Sequence, residues 1–260
     1  MSKLKDRVSL YEDIVDYKFL PKIPLIICIN GRSFSKITSL LDKPYCDKFA
    51  ECMYATALRL SMEIDGAIFT YSFNDEIIVV IRNDQSLETE PWCDNKIQKI
   101  TSITSSLATL HLNRCIESLN LNLTNDAIFT SKAFTVPNIT EAINVIISKQ
   151  QLCSYKSINF SCLYEFLNKD HDKNNIKEMI QGTSLDEKIN LLHQECDINF
   201  NDYPTAFRRG VACYRQPKAI NGVLKYKWAI NYEVPIFTSE QSFLSNIFKG
   251  GSDIIRKDNL

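Results

Sequence analysis

Two short stretches carry the side chains best suited to chemistry. Residues 24–37 read PLIICINGRSFSKI, an apolar run that ends in a polar turn at Asn30-Gly31-Arg32. Residues 66–82 read GAIFTYSFNDEIIVVIR, two runs rich in Ile, Val, Phe and Tyr that join at Asn74-Asp75-Glu76. Strand pairing brings the ends of neighbouring strands together. The turn after Ile29 and the acidic turn at Asp75 are therefore expected to meet at one rim of a sheet. A backbone carbonyl beside a carboxylate can hold a divalent cation. Taken alone, Asn74-Asp75 is an ordinary hairpin turn and Asn30-Gly31 a common turn pair.

The elements that must position this rim can be read along the chain. Residues 1–20 form a polar lead-in helix, with Ser9 as a candidate cap for a turn carrying Leu10, Ile14, Val15 and Tyr17; Pro21 and Pro24 stop it. Leu25–Ile29 suits a strand buried on both faces. Phe49, Met53, Ala57, Leu60 and Ile64 recur at helical spacing over Asp47–Glu63. Ala67–Ser72 and Ile77–Arg82 form a hairpin. A helix over Asp94–Glu117 presents Ile97, Ile100, Thr104, Leu107 and Leu110, and a strand over Ala127–Val136 stops at Pro137. The order β-α-β-β-α-β predicts an α+β fold with a ferredoxin-like, palm-type domain over residues 1–137. Residues 138–260 are expected as a helical and β-hairpin extension. Within it, Asn138 caps a helix to about Gln151, a second helix covers Ser157–Asn168, and Ser184 with Glu187 caps a third. A closing hairpin is expected over Arg209–Tyr214 and Leu224–Asn231 around a Pro217/Gly222 turn. A tail helix with Phe243, Leu244, Ile247 and Phe248 ends at Gly250-Gly251.

Composition narrows the function classes. Lys+Arg is 30 against Asp+Glu 31, so only a local basic patch could mark a nucleic-acid binder. One such patch, Arg208, Arg209, Arg215, Lys218, Lys225 and Lys227, reads equally as a solvated edge or as a phosphate contact beside Tyr214, Tyr226 and Trp228. No P-loop and no Rossmann glycine fingerprint occurs. Nine Cys without a C-x-x-C argue against zinc ribbons and for reduced, largely buried thiols in a cytoplasmic protein. No segment reaches the length of a membrane span.

With these residues assembled, PLIICINGRSFSKI, KPYCDKFAECM and YSFNDEI resemble the tRNA-His guanylyltransferase family and its reverse-polymerase relatives. Those proteins carry an Asp-Gly-Arg-x-Phe turn, a Lys-Pro-x-Asp segment and a Ser-Asp-Glu hairpin tip. GTSLDEKINLLHQECDINFNDYPTAFRRG resembles the family's downstream lysine helix, Ile-Asn-Tyr-Asn segment and Arg-x-Gly strand. The resemblance implies nucleotide addition to the 5′ end of tRNA or another 5′-phosphorylated RNA, using two magnesium ions and GTP or ATP. It also implies a homo-oligomer, typically a tetramer. Carried over by motif, Asn30, Gly31 and Asp75 fall at the metal, with Asp75, Glu76 and Asn30 as the catalytic set. Arg32, Ser33, Phe34, Lys43, Asn74 and Lys99 fall on the nucleotide side, and Lys188, Asn199, Arg208 and Arg209 on the RNA side. Without the resemblance, Lys99 and Lys188 read as solvated helix-face lysines.

The departures from the pattern are specific. Asn30 stands where the family has its first metal Asp, Asn74 where it has Ser, and Ser35 where it has His. The family's Trp-Arg-Gln, Asp, His and Asn-Asn helix here reads Ser148-Lys149-Gln150, Leu152, Ser154 and Lys156-Ser157. An amide contributes no charge to a cation, and metal charge is worth several kcal/mol in such chemistry. The alternative expectation is therefore a weakened palm that binds nucleotide or RNA without turnover. The fold would also admit another palm activity, such as templateless oligonucleotide synthesis.

Overall fold

The computed structural model describes residues 3–220 and 223–257 of the 260. Its centre is a six-stranded antiparallel sheet of β1 (Leu25–Gly31), β2 (Ala67–Phe73), β3 (Glu76–Ile81), β4 (Phe129–Thr135), β5 (Val211–Ile220) and β6 (Val223–Asn231), in the order β4-β1-β3-β2-β5-β6. Alternation of side chains along each strand creates two apolar faces. Leu25, Ile27 and Ile29 join Ile77, Val79 and Ile81 against α3 (Asp47–Glu63) and α4 (Ile97–Ser118). Ile26, Cys28, Ile78 and Val80 face the other way. They pack on Ala142, Ile143 and Ile146 of α5 (Ile139–Asn168) and on Leu244 and Phe248 of α9 (Gln241–Lys257). The sheet is thus buried on both sides, which is why β1, β2 and β3 read as continuous apolar runs.

The remaining helices are α1 (Lys3–Asp13), α2 (Phe34–Ile37), α6 (Lys173–Ile180), α7 (Leu185–Cys196) and α8 (Thr205–Arg209). The second half of α5 leaves the sheet and forms its own core with α6, α7 and α8 through Ile158, Cys162, Phe166, Leu192 and Phe207. Two caps are as expected: Asn138 accepts from the Glu141 amide, and Ser184 and Glu187 form a reciprocal capping box. The nine cysteines are free thiols, six of them buried.

Several expectations are corrected. Ser9 lies inside α1 rather than capping it, and α1 buries none of its residues. Helix α4 begins at Ile97, after a 3₁₀ turn at Trp92–Asn95. It packs through Ile100, Thr104, Ala108, Leu112 and Ile116, leaving Leu110 exposed. The stripe faces the sheet at Thr104, whose hydroxyl shares a 2.8 Å hydrogen bond with Ser131 of β4. The two expected helices after Pro137 are one 30-residue helix, α5. Its polar middle carries Lys149, Ser154 and Lys156, which break the apolar periodicity without breaking the helix. Strand β5 runs through Pro217, which pairs with Tyr226 where β2 no longer flanks the strand. An edge position tolerates the missing N–H. The expected turn residue Gly222 lies outside the described residues. Helix α9 continues through Gly250 and Gly251.

Candidate functional site

The β1–β3 register brings the two chemical stretches together. Asn30 lies opposite Glu76, and the Gly31 N–H donates to the Asp75 carbonyl at 2.9 Å. The turn beyond Gly31 is held open by Ser33, in the left-handed region at φ 58°, and by the Arg32 N–H donating to Ile128 O at 2.8 Å. Asn74 also adopts a positive φ, 48°, as a tight hairpin tip requires. The expected rim exists.

Above it lies a cavity of about 340 Å³. Gly31, Ser33, Phe34, Lys43, Asn74 and Asp75 line it on one side, and Tyr45, Phe160, Tyr164 and Phe207 on the other. Its volume is in the range of small-molecule pockets, and its apolar rings with a few polar groups suit an aromatic ligand with a charged end. Phe34 is itself buried and packs edge-on against Phe49 and at a tilt against Phe129, so it shapes the wall. Lys43 donates to Thr38 Oγ1 at 3.0 Å and lies 5.9 Å from the Tyr164 ring centre. Burial lowers its pKa. The opposite wall was invisible in the sequence: Tyr164 reads as a plain helix residue, Phe207 carries no signal of its own, and only the packing of α5 and α8 at the rim brings them to the cavity.

The electrostatics of the rim are unexpected. Glu76 is buried, and each of its carboxylate oxygens receives one lysine: Oε2 from Lys149 Nζ at 2.8 Å and Oε1 from Lys156 Nζ at 2.5 Å. Burial pushes the Glu76 carboxyl up, but hydrogen bonds and charge from Lys149 and Lys156 outweigh it, and the pKa ends below the usual carboxylate range. Lys156 also sits 5.5 Å from the Phe73 ring centre. Asp75 has no such pairing. Burial raises its pKa, Lys156 pulls it partly back, and Glu76 adds to the rise. The Asn74 Nδ2 donor is buried without a hydrogen-bond partner. These two lysines stand where the sequence departs from the family's pattern, which is the signal that could have drawn attention to them.

The donor set does not fit two magnesium ions. Asn30 and Gly31 offer neutral oxygens, Glu76 is committed to two lysines, and Asp75 alone remains as a free carboxylate. Among the described residues, no group of three or more His, Cys, Asp or Glu side chains could hold a metal ion.

The other expected residues are scattered. Lys99 is exposed near Cys93 in the first turn of α4, ten residues before mid-helix Thr109, whose hydroxyl accepts from the Phe129 amide beside the rim. Ten residues of helix, about 15 Å, separate the two, so Lys99 is not brought to the cavity. Lys188 is buried rather than solvated: its Nζ donates to Asn159 Oδ1 at 3.0 Å and lies 5.6 Å from the Tyr155 ring centre. Asn199 caps a 3₁₀ turn at Phe200–Asp202, and Arg208 braces the same turn by donating to Tyr203 O at 2.8 Å and Asn201 Oδ1 at 3.2 Å. Arg209 is half-buried; its carbonyl accepts from the Tyr71 hydroxyl. Of the basic hairpin, Lys218 and Lys225 face each other directly on the ribbon that projects beyond β2.

Comparison with known proteins adds an independent line. Residues 5–137 match the model of the tRNAHis guanylyltransferase family, and residues 157–241 match the Thg1 C terminal domain. A tRNA(His) guanylyltransferase of Arabidopsis thaliana is 22% identical over 81% of this chain but 37% of its own length. A probable tRNA(His) guanylyltransferase of Drosophila melanogaster is 23% identical over 77% of this chain and 70% of its own. The chain thus spans little more than a third of the plant relative. A bacterial tRNA(His) guanylyltransferase-like protein solved in complex with ATP superposes with a TM-score of 0.79 at 26% identity, covering 95% of this chain and 99% of that one. The same type of protein solved with GTP gives 0.76 at 25% identity over 95% of this chain and 99% of that one.

Proposed function

The chain belongs to the tRNAHis guanylyltransferase family, and from that premise we propose that it is a nucleotidyltransferase of that type acting on the 5′ end of tRNA or a tRNA-like RNA. Residues 1–137 serve as a ferredoxin-like palm and 138–260 as the extension that closes over it. The observation that carries the reading is the cavity built directly on the Gly31–Asp75 rim, with aromatic walls for a base and the rim for phosphates. ATP and GTP are the triphosphates found with the bacterial relatives. The first step is attack of an RNA 5′-phosphate oxygen on the nucleotide α-phosphorus, with pyrophosphate leaving, which activates the RNA end for nucleotide addition; its acceleration comes from positioning and from charge set in advance.

The facing lysines of the projecting ribbon support an RNA contact. Like charges directly opposite cost stability, and a phosphate backbone lying between them would relieve that cost. The exposed apolar residues of the lead-in helix, Leu4, Leu10 and Tyr11, support self-association. Free thiols throughout support a reducing, cytoplasmic setting.

A second reading, binding without turnover, is favoured by the same rim: a neutral Asn30 and a Glu76 already neutralised. One experiment separates the two. The protein is incubated with 5′-monophosphorylated tRNA and labelled GTP or ATP, and binding and label transfer are measured together. Transfer supports the enzyme; nucleotide binding without transfer supports the second reading. If neither occurs, both are wrong.

A further inference from the structure

We infer that this rim holds the phosphate end of a nucleoside triphosphate with fixed donors, Lys149, Lys156 and Asn74, and does so without a divalent cation. The inference rests on the nucleotide-binding reading above and concerns how that site handles charge. A cation site presents acceptors, whereas an anion site presents donors and positive charge. Here the donors are an ammonium pair held on Glu76 and a buried amide without a partner. Lys149 and Lys156 lie seven residues apart on α5, two turns and about 10 Å along one face, so they bracket the start of β3. Their side chains keep 23% and 30% exposure, against 9% for Glu76; neither lysine lines the cavity itself, and Glu76, which binds both, directly follows the wall residues Asn74 and Asp75 in the chain. The Asn74 Nδ2 group lacks a partner and belongs to a residue of the cavity wall. An acceptor oxygen arriving at the rim would satisfy it, and a metal ion would not.

Charge counting points the same way. Asp75 and Glu76 contribute two negative charges, and Lys149 and Lys156 contribute two positive ones. A rim with a carboxylate at position 30 and no paired lysines would repel a triphosphate unless a cation screened it. This rim is balanced before any ligand arrives. Glu76 holds both ammoniums at the rim, where it competes with an arriving phosphate for them.

The test measures the affinity of the intact protein for ATP, GTP and adenosine by calorimetry, in EDTA and in magnesium. The expected result is a triphosphate affinity that changes less than about threefold between the two conditions, adenosine serving as the probe that lacks phosphates. Lys156→Gln should weaken ATP at least about tenfold in EDTA while leaving adenosine unchanged. Glu76→Gln should do the opposite, tightening ATP in EDTA by releasing both ammoniums; a merely structural ion pair would give no gain. Melting curves of each variant check that it is folded. ATP binding that requires magnesium would overturn the inference and leave the nucleotide reading standing. Lysine variants with unchanged ATP affinity would also overturn it. Failure of ATP, GTP and adenosine to bind under any condition would remove the nucleotide reading itself.

Discussion

Replacing Lys156 by Met should destabilise the protein by about 1–2 kcal/mol at neutral pH. The figure follows from the geometry of the clamp. Removing one partner of a fully buried ion pair costs about 3–5 kcal/mol, and an exposed pair is worth about 0–1 kcal/mol. Glu76 is 9% exposed at its side chain and Lys156 30%, and Lys149 remains on the other carboxylate oxygen, so the loss falls between these limits. For a chain of this size that is a drop of about 2–8 °C in melting temperature. The pH dependence carries the stricter test. The folded Glu76 carboxyl lies below its ordinary range, so the pairing contributes in full above the unfolded value of about 4.3 and is lost as pH falls through the folded value. The melting difference between wild type and Lys156→Met should therefore be complete at pH 7, begin to shrink near about pH 4, and close in stronger acid. Identical melting at pH 7, or a difference that persists unchanged into strong acid, would refute the assignment of Glu76 as a clamped carboxylate.

Asn30→Asp should create divalent-cation binding, because it adds a second free carboxylate to that of Asp75 at the rim. Magnesium or manganese should then raise the melting temperature of the variant clearly more than that of the wild type, a gain of about tenfold in cation affinity being about 1.4 kcal/mol. Gly210→Ala should cost about 2–4 kcal/mol in chemical denaturation, since φ is 73° and an added Cβ would lie 2.6 Å from the Tyr71 hydroxyl and 2.8 Å from Ser72 O. Tyr164→Ala should weaken ATP binding by the loss of one stacking surface, about 1–3 kcal/mol, read by calorimetry, with little change in stability because the ring faces the cavity.

What the sequence determined by itself was local. The apolar runs at Leu25–Ile29, Ala67–Ser72 and Ile77–Arg82 specified buried strands, because a pleated segment covered on both faces needs no polar alternation. Asn74-Asp75 specified the hairpin and its tip, whereas the meeting of Gly31 and Asp75 needed the long-range pairing of β1 with β3. Asn138 and Ser184 marked helix starts because an orphan amide selects a short side-chain acceptor whatever the surrounding fold. Only the tertiary structure decided which distant side chains share a charge. Lys149 and Lys156 reach Glu76 across 73 and 80 residues of chain. Lys99, assigned to the same site by motif, ends in the first turn of α4. Lys188 is turned inward onto Asn159. The division has one physical cause: hairpin turns and caps are satisfied within a few residues, whereas electrostatic energy depends on separations through space, which no spacing along the chain encodes.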